Sequence, residues 1–206
     1  MPELSLPMIR RAALETMTPL LKAAGAAHMP PRYRGIKPYV AERLSKKLLP
    51  GDSMLSHRKR EPTNLVIPGF WKHAAIYVGN GRVVEAVGKG VIETSIEEFL
   101  TTKDAVMFRR PKFLTREQLA RAADHAKKLR GRPYDYLIEP AGLVLKGAKD
   151  AFYCSEVVWH SLDEACNDFD ILSPFEPRLT FGVPTVTPLD ISLADRLFET
   201  TEELRA

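Results

Sequence analysis

The sequence predicts an α+β domain in which a small antiparallel sheet packs against helices, and three observations predict it. Five short strand-like runs follow one another between residues 53 and 110, most of them separated by Gly, Asn or Pro. Two longer segments with apolar residues at helical spacing come after them. With 206 residues, 27% charged and 45% apolar, the chain is long enough to bury a full core without staples, which excludes disordered, collagen-like, coiled-coil and disulfide-scaffold classes.

Taken in order, residues 1–38 contain two short helical stretches, around Met8 to Met17 and Leu20 to Ala27, and then the connector Met29-Pro30-Pro31. They read as an extension before a main domain over 39–170, with 171–206 a proline-rich segment packed on that same domain. A helix is expected over Tyr39 to Leu49, where Val40, Leu44 and Leu48 recur at a spacing of four and Pro50-Gly51 ends the run. Its Lys46 and Lys47 would face water. The strands are Ser53–Ser56, His73–Val78, Arg82–Val87, Val91–Thr94 and Ala105–Arg110. The next helix spans Thr115 to Leu129, opened by the capping box Thr115-x-x-Gln118 and stopped by Gly131 and Pro133. Tyr134 to Asp150 reads as loop, and Phe152 to about Ala165 as a helix with Val157, Val158, Leu162 and Ala165 as its buried stripe. Leu172 to Pro188 is expected to wrap the surface before a short closing helix near Asp190 to Phe198. No internal repeat is found.

Charge and cysteine usage narrow the partners. Thirty Lys and Arg against 26 Asp and Glu give a net charge of +4, basic without the dense one-sided cluster of a nucleic-acid binder, so no nucleic acid is expected. The run His57-Arg58-Lys59-Arg60 reads as a solvated loop, with weak contact to an anionic membrane surface as its alternative. Cys154 and Cys166 fit neither a disulfide framework nor a structural zinc site. No stretch approaches the ~20 apolar residues of a membrane span, and Glu3, Glu15, Pro19 and Lys22 interrupt any signal-peptide core. The expected compartment is the reducing cytoplasm. Oligomeric state leaves no signal.

The chemistry centres on Phe152-Tyr153-Cys154-Ser155-Glu156, which places a cysteine in the first turn of an amphipathic helix. Unpaired N–H groups there favour a thiolate and lower the thiol pKa, while a small buried hydrophobe is the plainer reading. Cys166, at the other end, lies about 18 Å away by helix rise, beyond disulfide reach. A thiolate nucleophile needs a base and a group to orient it. Of the five histidines, His28 and His57 fall in loops, His125 in mid-helix, and His160 about 240° round the helix from Cys154. His73 instead opens a strand that turns through Gly79-Asn80-Gly81 and returns with Glu85.

Parity decides whether the two can meet. A two-residue Asn80-Gly81 turn pairs Val78 with Val83 and puts Glu85 on the face opposite His73. A three-residue loop with Gly81 left-handed pairs Val78 with Arg82 and Ala75 with Glu85. His73 and Glu85 then become diagonal neighbours, with Cβ atoms ~7–8 Å apart.

The series Gly51-Asp52-Ser53-Met54-Leu55, His73-x-x-Ile76-Tyr77-Val78-Gly79, Val84-Glu85-Ala86, Tyr134-Asp135 and Tyr153-Cys154-Ser155-Glu156 resembles a known group. It is the circularly permuted branch of the NlpC-type papain-like cysteine hydrolases, which includes YiiX-like proteins and is related to lecithin retinol acyltransferase. The likeness covers roughly residues 50–165. It implies a permuted papain-like fold, the sheet packed on the helix that carries the nucleophile, with base and orienting group preceding the cysteine. It implies Cys154 as nucleophile, His73 as general base and then acid, and Glu85 as the orienting carboxylate. The Cys154 N–H is the natural oxyanion donor, with Tyr134 or Tyr153 as a second donor or substrate-positioning group; Tyr134 is preferred because Tyr153 can simply pack. The expected activity is amide hydrolysis through a thioester, on a peptide or γ-glutamyl, cell-wall-type bond, and it needs neither metal nor organic cofactor. The alternatives are an acyltransferase, thioesterase or lipase on an acyl lipid, with Leu65, Val66, Ile67, Phe70 and Trp71 accepting the chain, and a silent binding module that keeps the fold. Lys72 is expected near one wall of the groove. A zinc site from Cys154, Cys166 and histidines is the remaining rival.

Overall fold

Each predicted strand forms, and the second, third and fourth pair in succession as hairpins because Gly and Asn supply the turns between them. The computed structural model describes residues 35–59, 61, 64, 67–136, 150–166, 178–180 and 183–206. After a short helix α1 (Tyr39–Ser45) come β1 (Ser53–His57), β2 (His73–Gly79), β3 (Arg82–Val87) and β4 (Gly90–Ser95). Helix α2 (Ile96–Thr101) leads to β5 (Ala105–Pro111), then α3 (Arg116–Lys128) and α4 (Cys154–Ala165). The chain ends with a two-stranded hairpin, β6 (Arg178–Thr180) and β7 (Val183–Thr185), a helix α5 (Pro188–Leu193) and β8 (Phe198–Arg205). The main sheet is antiparallel in the order β4-β3-β2-β1-β5-β8.

The sheet has an apolar layer on each face, as strand alternation requires. Even-numbered β2 residues Ala74, Ile76 and Val78 join Val84 and Ala86 of β3 against α3 and α4, where Ala122, Val157, Val158 and Leu162 are fully or almost fully buried. Odd-numbered Ala75 and Tyr77 join Val83 and Met54 against α1 and α2 through Val40, Leu44, Phe99 and Leu100. The Thr115–Gln118 capping box forms as expected, with the two reciprocal bonds at 2.9 and 3.2 Å. Close approach fixes α3 on the sheet: at Gly51 (φ 95°) a Cβ would lie 2.5 Å from the Leu119 carbonyl oxygen.

Several expectations are corrected. Helix α1 ends at Ser45, four residues early, although Leu48 is still drawn into the core by a turn back to Leu44. Lys47 does not only face water but pairs with Glu202 at 3.1 Å. Helix α2 was not expected, although Ser95 caps it by accepting the Glu98 N–H at 3.0 Å. Helix α4 starts at Cys154 because Phe152 bridges to Tyr134. The closing helix stops at Leu193, and the following residues form β8, the edge strand beside β5. The two helical stretches expected before residue 35 and the connector after them lie outside the described residues, as do 137–149 of the loop and most of 167–182 of the tail. Among the described residues, no helix is long and apolar enough to cross a membrane.

Candidate active site

The hairpin settles the question of parity by a third route. Asn80 (φ 52°) and Gly81 (φ 68°) are both left-handed, the signature of a two-residue I′ turn. Gly79 pairs with Arg82, Tyr77 with Val83, and Val78 is the extra residue of a bulge. The expected pairing of Val78 with Arg82 is therefore replaced, but the bulge restores the same parity and Ala75 pairs with Glu85. His73 and Glu85 share a face, and His73 Nε2 lies 2.7 Å from Glu85 Oε2. Thr94, one position further along that face on β4, donates to the other oxygen, Oε1, at 3.1 Å.

Cys154 reaches this pair at the open end of the sheet. Tyr77 N–H bonds the carbonyl of Asp52, the residue just before β1, so by antiparallel alternation the Ala74 N–H points toward β3. The β2–β3 register stops at Ala75–Glu85, which leaves the Ala74 N–H to favour the Cys154 thiolate, together with the Ser155 N–H of the first helical turn. The imidazole of His73 faces the sulfur and is the main group favouring its thiolate form. With Nε2 committed to Glu85, Nδ1 is the ring nitrogen left for it. Cys154 is buried, and the His73 side chain is 19% exposed.

Electrostatics follow from that line of contacts. Burial pulls the His73 pKa down, but Cys154 and the hydrogen-bonded Glu85 lift it to about 9. Burial pushes Glu85 up, and the bond and charge of His73, aided by Lys103 and Thr94, hold it at about 2. Burial also raises the Cys154 thiol, yet His73 and the two backbone N–H groups bring it below the ordinary value. The arrangement favours a thiolate–imidazolium pair, poised for attack on a carbonyl carbon.

The tyrosines divide. Tyr134 is tied to Phe152 by a bridge and packs at a tilt against Tyr136, with 4.8 Å between ring centroids. Burial and then the Cys154 charge raise its pKa, so its phenol stays protonated and able to donate. Tyr153 is the N-cap of α4, where its N–H donates to Glu156 Oε2 at 3.2 Å; its ring is buried and its phenol, raised mainly by burial and Glu156, lies against Val186. Ser155 Oγ donates to the Val186 carbonyl at 2.7 Å, fixing the C-terminal segment on the helix start.

The Lys72 ammonium donates to the carbonyls of Asn64 and Ile67 in the segment before it. Trp71 is buried, while Phe70 is 42% exposed, stacked on His57 at 4.4 Å and capped by Arg205. Leu65 and Val66 lie outside the described residues. His125 and His160 meet each other at 3.1 Å between α3 and α4, and Cys166 caps the far end of α4. Among the described residues, no three His, Cys, Asp or Glu side chains group as a metal site. Sequence reading missed Thr94, Lys103 and the Ala74 N–H; carrying the parity argument one strand further, to β4, would have found Thr94.

Comparison with known families gives a match over residues 47–181, about two thirds of the chain, to the family described as permuted papain-like amidase enzyme, YaeF/YiiX, C92 family. No curated protein matches the chain.

Proposed function

Because the chain belongs to the permuted papain-like amidase family, we propose that it hydrolyses an amide bond through a thioester on Cys154. The observation that carries this reading is the His73–Glu85 pair, 2.7 Å apart, facing Cys154 at a helix N-terminus and favouring its thiolate form. The thiolate attacks the amide carbon, forming the C–S bond and an oxyanion. The Cys154 N–H is directed at that oxyanion by the helix start, and the Tyr134 hydroxyl is the second donor. The His73 imidazolium protonates the leaving nitrogen as the C–N bond breaks, leaving a neutral imidazole and a thioester. Water then gives a proton to His73 and attacks the thioester. The carboxylic acid departs and the thiolate–imidazolium pair is restored. Glu85 keeps Nε2–H in place throughout and stabilises the imidazolium, with Thr94 holding the carboxylate. Tyr153 shapes the helix start rather than touching the reacting atoms.

The test is acyl-enzyme capture. Peptide amides, γ-glutamyl amides and acyl esters are offered to the full chain, and the Cys154 peptide is read by mass spectrometry after acid quench. An acyl adduct on Cys154 that is absent in His73→Ala, with turnover lost in Cys154→Ala, is expected for the amides. Turnover that survives Cys154→Ala would refute the proposal. Adducts from acyl esters alone would move the assignment to a lipid or thioester substrate.

A further inference from the structure

Lys103 lies in the link between α2 and β5, at the end of the sheet that carries the site, since β5 begins with Ala105 opposite His57. Its backbone is fixed on both sides: its N–H donates to Leu100 at 3.0 Å and its carbonyl accepts from Ile36 at 3.2 Å. The side chain runs over the buried ring of Phe99, with Nζ 4.9 Å from the centroid. The same ring meets the His73 imidazole, at 6.2 Å between centroids. The ammonium therefore sits one aromatic ring away from the base.

The carboxylates that face this cation are already committed. Glu85 spends Oε2 on His73 and Oε1 on Thr94, and Glu61 holds Arg58 at 2.7 Å. The other charges facing it are Cys154, which attracts it, and Arg58 and His73, which do not. Lys103 makes no ion pair with a carboxylate among the described residues. A partly buried ammonium without a close counter-ion is costly to hold by packing alone. An anion entering at this end of the sheet would supply that counter-ion.

Resting on the amidase reading above, we infer that Lys103 binds an anionic group of the substrate, a carboxylate close to the scissile amide, and so selects acidic substrates. The Phe99 ring fixes the ammonium relative to His73, which sets how far that carboxylate stands from the amide carbon.

The experiment compares iodoacetate with iodoacetamide, two reagents of nearly equal size that differ by one negative charge. Their rates at Cys154 are measured by peptide mass spectrometry in the full chain, with Cys166 as internal control. The iodoacetate-to-iodoacetamide ratio should fall at least about fivefold in Lys103→Met and stay near the original in Lys103→Arg. In the unaltered protein the ratio should also fall as salt is raised to about 1 M, where the Debye length is near 3 Å; this arm needs no variant to fold. With a turned-over substrate, Lys103→Met should raise KM for an acidic amide more than for its neutral amide counterpart. A ratio that Lys103→Met leaves unaltered overturns the inference, whatever salt does, while leaving the nucleophile intact. A Cys154 inert to both reagents overturns the amidase reading, and the inference falls with it.

Discussion

Replacing Glu85 with Gln keeps the shape of the side chain and an oxygen to accept from His73 Nε2, and removes only the charge. The rise of the His73 pKa from 6.5 to about 9 amounts to about 3 kcal/mol of preference for the imidazolium, at about 1.4 kcal/mol per tenfold. That preference is what remains after burial is overcome, and it is shared between the thiolate and Glu85. Assigning half to the carboxylate predicts a loss of roughly 1.5 kcal/mol, or about tenfold. His73 in Glu85→Gln should titrate about one pH unit lower, and the Cys154 thiolate should form about one unit higher, because the two titrations are coupled. The assay is the pH dependence of iodoacetamide alkylation at Cys154, paired with NMR titration of the imidazole. Thr94→Val should move both in the same direction by less, as expected for one hydrogen bond worth about 1 kcal/mol. Stability carries its own sign. The depressed Glu85 pKa stabilises the fold above 4.5, an effect lost as pH falls through about 2. The raised His73 pKa stabilises it below 6.5, an effect lost as pH rises through about 9. Glu85→Gln should therefore lower Tm most between these ordinary values and least above pH 9. Unmoved alkylation and imidazole titrations would refute the coupling.

Two further outcomes follow from other parts of the structure. Arg110→Met strands the fully buried Asp52 carboxylate, which loses bonds of 2.8 and 2.6 Å and retains the Leu49 N–H; a loss of about 3 kcal/mol is expected by denaturant titration, and a midpoint near that of the unaltered protein would argue against the pair. Burial, then the charges of His160 and Lys128, lower the His125 pKa against the pull of Glu164. Stability should thus decline as pH drops below 6.5, where the unfolded chain binds more protons; in His125→Leu the fall in Tm between pH 7.5 and 5 should flatten, and an unchanged slope would dismiss the effect.

Strand positions were legible because turn residues bracket them, and Ala75 opposite Glu85 was legible because only one parity brings His73 to a carboxylate. The manner of it was not. Asn80-Gly81 forms the short turn that sequence preference favours, and the compensating bulge falls at Val78, inside a run that reads as regular strand. Strand β8 escaped notice because Phe198-Glu-Thr-Thr-Glu-Glu-Leu-Arg205 is rich in helix formers, and pairing with β5 overrides that preference. Helix α2 is six residues long, too short for a periodic signal, although Ser95 and Glu98 mark its start. Cys154 was visible as the head of an amphipathic segment. Lys103 was not, since one lysine between two elements forms no pattern; its position is set by the ring of Phe99.

The order of these groups along the chain governs when the sulfur becomes reactive. During synthesis the hairpin carrying His73 and Glu85 emerges first and is a local structure, while Cys154 arrives long afterwards and the edge strand β8 last. The Ala74 N–H, the imidazole and the helix start act on the sulfur only once α4 has docked at the end of β2. Before that moment Cys154 is an ordinary thiol, mostly protonated at neutral pH and slow toward electrophiles. A nascent or partly unfolded chain thus carries no armed nucleophile, and the appearance of fast alkylation at Cys154 during refolding is itself a clock for completion of the fold.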